Sequence, residues 1–146
     1  MPTVHAQGAT GGPWARDKFR QAVDSRGPEI SALSCHGNPL HPDEGVAGEH
    51  DERFRDTVRL AAELGVGRVI TFSGCPGDSE GSERPNWVTC PWPPDFLETL
   101  EWQWNERVAP YWQDAASFAR ERGARVAIEL HPGLVAYNTD SFWRLR

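Results

Sequence analysis

A chain of 146 residues, 38% hydrophobic and 25% charged, has room for one core, on the usual prior of roughly 100–200 residues per domain. A formal charge of −6 argues against a nucleic-acid partner, since neutralising phosphates takes clustered Lys and Arg, and no run reaches the roughly 20 apolar residues of a membrane span. The expected setting is cytoplasmic, away from membranes. The 12 prolines and 14 glycines imply long irregular segments, and three cysteines without a CxxC pair fit neither a disulfide framework nor a zinc knuckle. Cys35, Cys75 and Cys90 are read as reduced, small buried residues.

Residues 1–14, with Gly8, Gly11, Gly12 and Pro13, show no apolar period and are expected to be flexible; residues 15–146 are expected to form the domain. A short helix is predicted from Ala15 to Ser25, stopped by Gly27-Pro28. Glu29–Ser34 then reads as a buried strand running into the loop Cys35-His36-Gly37-Asn38-Pro39. From Glu49 to Leu64, Phe54, Val58, Ala61 and Ala62 recur at helical spacing, with Gly65 placed as the C-cap. Arg68–Ser73 is a second strand, stopped by Gly74-Cys75-Pro76-Gly77.

The polar, then Pro- and Trp-rich stretch Asp78–Pro94 is longer than an ordinary connection and is a candidate lid or binding loop. Five of the seven tryptophans fall between residues 87 and 112. Most are expected to serve packing, with Trp87 and Trp92 as candidates to stack on a substrate ring. A long helical pattern from Asp95 to Arg122 carries Leu97, Leu100, Trp104, Val108, Trp112, Ala115 and Ala119 on one side, with Pro110 expected to kink or split it. Gly123 caps it, Arg125–Leu130 is a third strand, and Thr139–Arg146 starts another helix. Strands preceded by helices and ending in Gly/Pro loops indicate an α/β fold of about three parallel strands, with the ligand site beyond their carboxyl ends.

Those ends deliver Cys35-His36-Gly37-Asn38, Ser73-Gly74-Cys75 and Glu129-Leu130-His131 to one face. A carboxylate at the end of an apolar strand is costly to bury unless paired, protonated or metal-bound. Glu129 and His131 are two residues apart, point to the same side, and so are candidates for a single metal or catalytic site. The plainer alternatives stay open: Glu129 paired with an Arg of a neighbouring strand, His131 bonded to loop backbone, His36 a turn histidine. For His41, between Leu40 and Pro42, the structural role is preferred.

Taken in order, the segments Ile30–Pro42, Thr57–Val66 running on to Thr71-Phe72-Ser73-Gly74, and Val126–Gly133 resemble the sugar phosphate isomerase/epimerase family, with its xylose isomerase-like TIM barrel. The resemblance implies a (β/α)8 barrel holding one divalent metal (Mn²⁺, Mg²⁺, Co²⁺ or Zn²⁺) at the strand carboxyl ends, and a sugar as substrate. It matches Glu129 to the first metal-binding glutamate, which also helps move a proton next to the substrate carbonyl. His36 is matched to a catalytic position facing the substrate, and His131 to a substrate-binding one. A full barrel takes about 250 residues and eight strands, so a partial barrel is expected here, with weak or absent metal binding in the isolated chain and a homo-oligomer as one way to complete a site. The alternatives are a non-catalytic α/β fragment and, further off, an endonuclease-four-like phosphodiester hydrolase.

Overall fold

The computed structural model describes residues 13–27 and 29–146. The flexible segment expected over residues 1–14 lies outside them except for Pro13 and Trp14, which open the first helix. Among the described residues, three strands form one parallel sheet in the order β1-β2-β3: β1 is Leu33–Ser34, β2 is Arg68–Phe72 and β3 is Arg125–Glu129. Five α-helices accompany them: α1 (Pro13–Asp24), α2 (Glu44–Leu64), α3 (Pro94–Trp102), α4 (Ala109–Glu121) and α5 (Thr139–Leu145). None of the described helices is long and apolar enough to cross a membrane.

The turns from α2 into β2 and from α4 into β3 each contain a glycine in the left-handed conformation, Gly65 and Gly123. In α2 the Asp43 carboxylate accepts from the Gly45 and Val46 amides at 2.9 and 3.1 Å, satisfying donors that the first helical turn leaves free. Gly65 closes it in the left-handed conformation at φ 71°, and the Val66 amide returns to the Ala61 carbonyl at 2.8 Å, aiming the chain into β2. The buried side of α2 is Phe54, Thr57, Val58, Leu60 and Ala61; Ala62, expected there, is exposed.

Register and the two-residue alternation divide the strand side chains. Leu33, Val69, Thr71, Val126 and Ile128 face the helices, joining a core with Phe54, Val58, Trp104, Val108, Trp112, Ala115 and Ala119. Ser34, Ile70, Phe72, Ala127 and Glu129 share the opposite face, which in a barrel is the interior. Three parallel strands packed on helices along one face are consistent with a segment of a (β/α)8 barrel.

Three elements differ from the sequence reading, the simplest being α2, which begins at Glu44 rather than Glu49. β1 is two residues long rather than six, because Leu33 already lies opposite Val69 and earlier residues pass the turn before β2, where no strand remains to pair. The long helical pattern is interrupted by a π-helical segment, Gln103–Val108, between α3 and α4. Pro110 has no N–H for the carbonyl four residues back, and the wider turn lets the Ala109 amide reach the Trp104 carbonyl instead. Leu97, expected on the packed side, is exposed.

Candidate active site at the strand carboxyl ends

His36 follows β1, Phe72 ends β2 and Glu129 ends β3. His36 Nε2 lies 3.0 Å from Glu129 Oε2, joining residues 93 apart in sequence. Beneath the pair is Phe72, whose ring centre is 4.2 Å from that of His36 and 5.0 Å from that of His131. The Ser34 hydroxyl lies 3.3 Å from His36 Nδ1 and 3.5 Å from Nε2, beside the ring. The side chains of His36 and Glu129 are 40% and 50% exposed, so the pair opens to solvent and to any ligand above the sheet.

Each candidate residue has a definite place. Glu129 pairs with a histidine rather than with an arginine, and His36 is engaged by side chains rather than by turn backbone. His131 reaches the same aromatic floor, while its Nδ1 lies 2.8 Å from the Pro132 carbonyl, so it has the loop-backbone bond of the plainer reading as well. His41 accepts from the Asp43 amide at 3.0 Å and serves the turn into α2. The Trp87 ring packs edge-on against Trp104 at 5.4 Å; among the described contacts, none joins it to His36 or Glu129. Trp92 is 73% exposed. Of the cysteines, Cys75 is buried as expected, Cys35 is half-buried, and Cys90 is exposed, carried outward by the Pro-rich end of its loop.

The loop proposed as a lid is tied down over its first half. The Asp78 carboxylate accepts from the Ser82 hydroxyl at 2.6 Å and the Asn86 amide at 2.8 Å, bonds that hold it below the usual carboxylate range. Gln103, fully buried on the π-helical segment, donates to the Gly77 and Asn86 carbonyls at 2.9 and 2.6 Å and accepts from the Val88 amide at 3.3 Å. The later part, from Thr89 through Glu98, is exposed.

Asn38 and Ser73, placed at the strand ends by the sequence but given no role there, and His50, which the sequence does not mark, hold the strand ends together. The Asn38 carboxamide accepts from the Cys75 amide at 2.8 Å and donates to the Cys75 carbonyl at 2.9 Å. His50 Nδ1, on α2, accepts from the Asn38 amide at 3.0 Å. Ser73, also fully buried, accepts from the Ala136 amide at 2.9 Å through its hydroxyl and from Trp112 Nε1 at 3.0 Å through its carbonyl. A hydrophilic residue beside a strand-end glycine was the only local signal for Asn38 and Ser73; their partners lie 37 and 63 residues away.

A parallel sheet with one face packed on helices, and a carboxylate–histidine pair at the strand carboxyl ends of the other, defines an α/β-barrel type of protein with its polar centre in the usual place. The chain belongs to the xylose isomerase-like TIM barrel family, whose model matches residues 4–146. It is 36% identical over 134 residues to the uncharacterized protein YfiH of Bacillus subtilis (strain 168), a match covering 90% of this chain and 42% of that protein. A crystal structure of a D-tagatose 3-epimerase-like protein matches with a TM-score of 0.60 at 16% identity, over 92% of this chain and 46% of that one, a likeness of fold. The chain thus spans less than half the length of either.

The divalent metal implied by the family needs a donor set. Catalytic zinc sites, for comparison, take about three protein ligands. Among the described residues, no group of three or more His, Cys, Asp or Glu side chains is placed to hold an ion. The Glu129 carboxylate and the His36 imidazole are too few, so these residues do not by themselves fit the metal.

Proposed function

We propose that this chain carries part of the active centre of a sugar or sugar-phosphate isomerase or epimerase, with Glu129 as the group that moves a proton at the carbon next to a substrate carbonyl. The observation that supports this most is the 3.0 Å contact of Glu129 with His36 at the strand carboxyl ends, above an aromatic floor. A carboxylate held by one partner and open to solvent keeps a free oxygen to accept a carbon-bound proton. The proton passes to the carboxylate and the bonding electrons move into the carbonyl oxygen as an enediolate. Return of the proton to the former carbonyl carbon, with the hydroxyl proton passing to the other oxygen, completes isomerisation, whereas a proton delivered to the original carbon from the opposite face, by a donor other than Glu129, completes epimerisation. His36 orients the carboxylate and, when it carries a second proton, can share it with a substrate oxygen. His131, above the same Phe72 ring, is assigned to a sugar hydroxyl. Trp92, exposed on the later part of the long loop, is assigned to the apolar face of the sugar ring.

A second reading is favoured by the small donor set: the chain alone is non-catalytic, and metal binding and turnover require donors from further barrel strands or from a second copy. One experiment separates the two. A panel of ketoses and ketose phosphates is incubated with the protein in D₂O with Mn²⁺ or Zn²⁺, beside Glu129→Gln, and deuterium at the carbon next to the carbonyl is followed. Incorporation that falls about 100-fold or more in the variant supports the first reading. No incorporation by either protein supports the second, and equal incorporation by both refutes the role of Glu129.

A further inference from the structure

We infer that Asn38 is a positioning residue for His36, acting through a clasp between the loops that follow β1 and β2. The inference rests on the reading of His36 and Glu129 as the working pair. β1 is too short to hold its loop by sheet pairing: its last bond to β2 is the Cys35 amide to the Ile70 carbonyl, at 2.9 Å. Three residues later the chain is fastened to the β2 side again, this time by a side chain. The Asn38 carboxamide offers one acceptor and one donor, and Cys75 answers with its amide and its carbonyl, as a neighbouring strand would. The acceptor oxygen also takes the Leu40 amide at 3.2 Å, closing the turn.

His36 and Gly37 are thus the only residues between two fastenings to one partner segment. The span is covered from the α2 side, where a Cβ on Gly37 would lie 2.9 Å from His50 Cγ, and His50 in turn accepts from the Asn38 amide. With its backbone fixed at both ends, the His36 ring has little to choose beyond its side-chain torsions. The Ser34 hydroxyl, the Phe72 ring and the Glu129 carboxylate select among those. Among the described hydrogen bonds, none joins Asn38 to these groups. Its effect on the pair is exerted through the position of the His36 backbone.

The test is isotope-edited NMR on the full chain, reading the nuclear Overhauser effect between the His36 and Phe72 rings and the His36 Nε2 chemical shift, in wild type, Glu129→Gln, Asn38→Leu and Gly37→Ala. The Phe72–His131 ring contact is the internal control, since it does not pass through the clasp. Asn38→Leu keeps the size and removes both bonds; Gly37→Ala loosens the same span from the His50 side and covers the case in which the first variant does not fold. The expected result is loss of the His36–Phe72 effect and movement of the His36 Nε2 shift to its Glu129→Gln value, with the control intact. A folded variant of either kind that keeps the wild-type His36–Phe72 effect overturns the inference. Loss of the control together with the His36 signal also overturns it, because the clasp would then support the whole face. None of these readings depends on turnover, so failure of the proposed activity is seen separately, in the deuterium experiment.

Discussion

Replacing Gln103 with Leu removes a buried polar side chain of similar size from the π-helical segment and leaves three backbone groups without their partner. In the folded chain Gln103 serves the Gly77 carbonyl at 2.9 Å, the Asn86 carbonyl at 2.6 Å and the Val88 amide at 3.3 Å. Asn86 is exposed, so water can take over its carbonyl; Gly77 is buried, and Val88 half-buried. One fully stranded group at about 1–3 kcal/mol, plus a partly stranded one, gives an expected loss of about 2–4 kcal/mol. For a chain of this size that corresponds to a fall in Tm on the order of 5–10 °C. Urea unfolding followed by tryptophan fluorescence measures the first quantity and calorimetry the second. Amide exchange should also quicken from Gly77 to Val88 before it does in α2. A loss below about 0.5 kcal/mol, the scale of an ordinary surface substitution, would refute the view that Gln103 holds the loop.

Stability should fall at alkaline pH through one buried and one half-buried group. Burial pushes the Cys75 thiol up to about 11 from an ordinary 9.0, and burial, then the neighbouring Asp51 carboxylate, raises the Tyr111 hydroxyl well above its ordinary value. Both hold their protons more tightly folded than unfolded, so the stability from Cys75 is whole below pH 9 and declines as pH rises from 9 toward 11, while that from Tyr111 declines only once pH passes its ordinary 10.0; unfolding curves of Cys75→Ala and Tyr111→Phe should each show a shallower decline, and unchanged slopes would contradict the assignment. Gly74→Ala places a Cβ 3.0 Å from Asn38 Oδ1 at a φ of +77°, and is expected to cost about 1–3 kcal/mol in the same urea assay. Glu129→Asp draws the carboxylate back by about 1.5 Å, one carbon–carbon bond, and should reduce deuterium incorporation nearly as far as Glu129→Gln does; full activity in the Asp variant would show that contact with His36 is not needed.

The helix–glycine–strand grammar was enough to place His36 and Glu129 at the same end of the sheet, because parallel strands send their carboxyl ends to one side whatever the detail of the helices between. What local patterns do not carry is the partner. The residues from Glu29 to Ala32 have strand character, yet extended chain becomes strand only where a neighbour offers its amides and carbonyls, and β2 begins too late to do so. Pro110 announced a break in the long helix, but the π-helical turn that absorbs it lies upstream, where Gln103 reads as an ordinary polar helix residue. The sequence places Asn38 and Ser73 at the strand ends without a role, and does not mark His50, for a similar reason. Their bonds span 37, 63 and 12 residues, and nothing in the adjacent sequence marks one asparagine or serine as fastened and another as free.

The order of the strands explains why these particular side chains meet. β1 and β3 are not neighbours; β2 lies between them, and at about 4.8 Å per strand their backbones are on the order of 10 Å apart. A contact between their ends must pass over β2, so the residue ending β2 becomes the floor of the pair. Phe72 supplies a flat apolar surface that competes for neither partner's hydrogen bond, and both His36 and His131 rest on it. Bridging that gap takes two long side chains, a glutamate from one edge and an imidazole from the other, each starting from a backbone position that must not drift. β3 secures Glu129 by its register with Phe72, whereas β1, two residues long, secures its side only as far as the Cys35 amide. The remaining precision on the His36 side has to come from the loop, and that is where the Asn38 carboxamide is tied to Cys75.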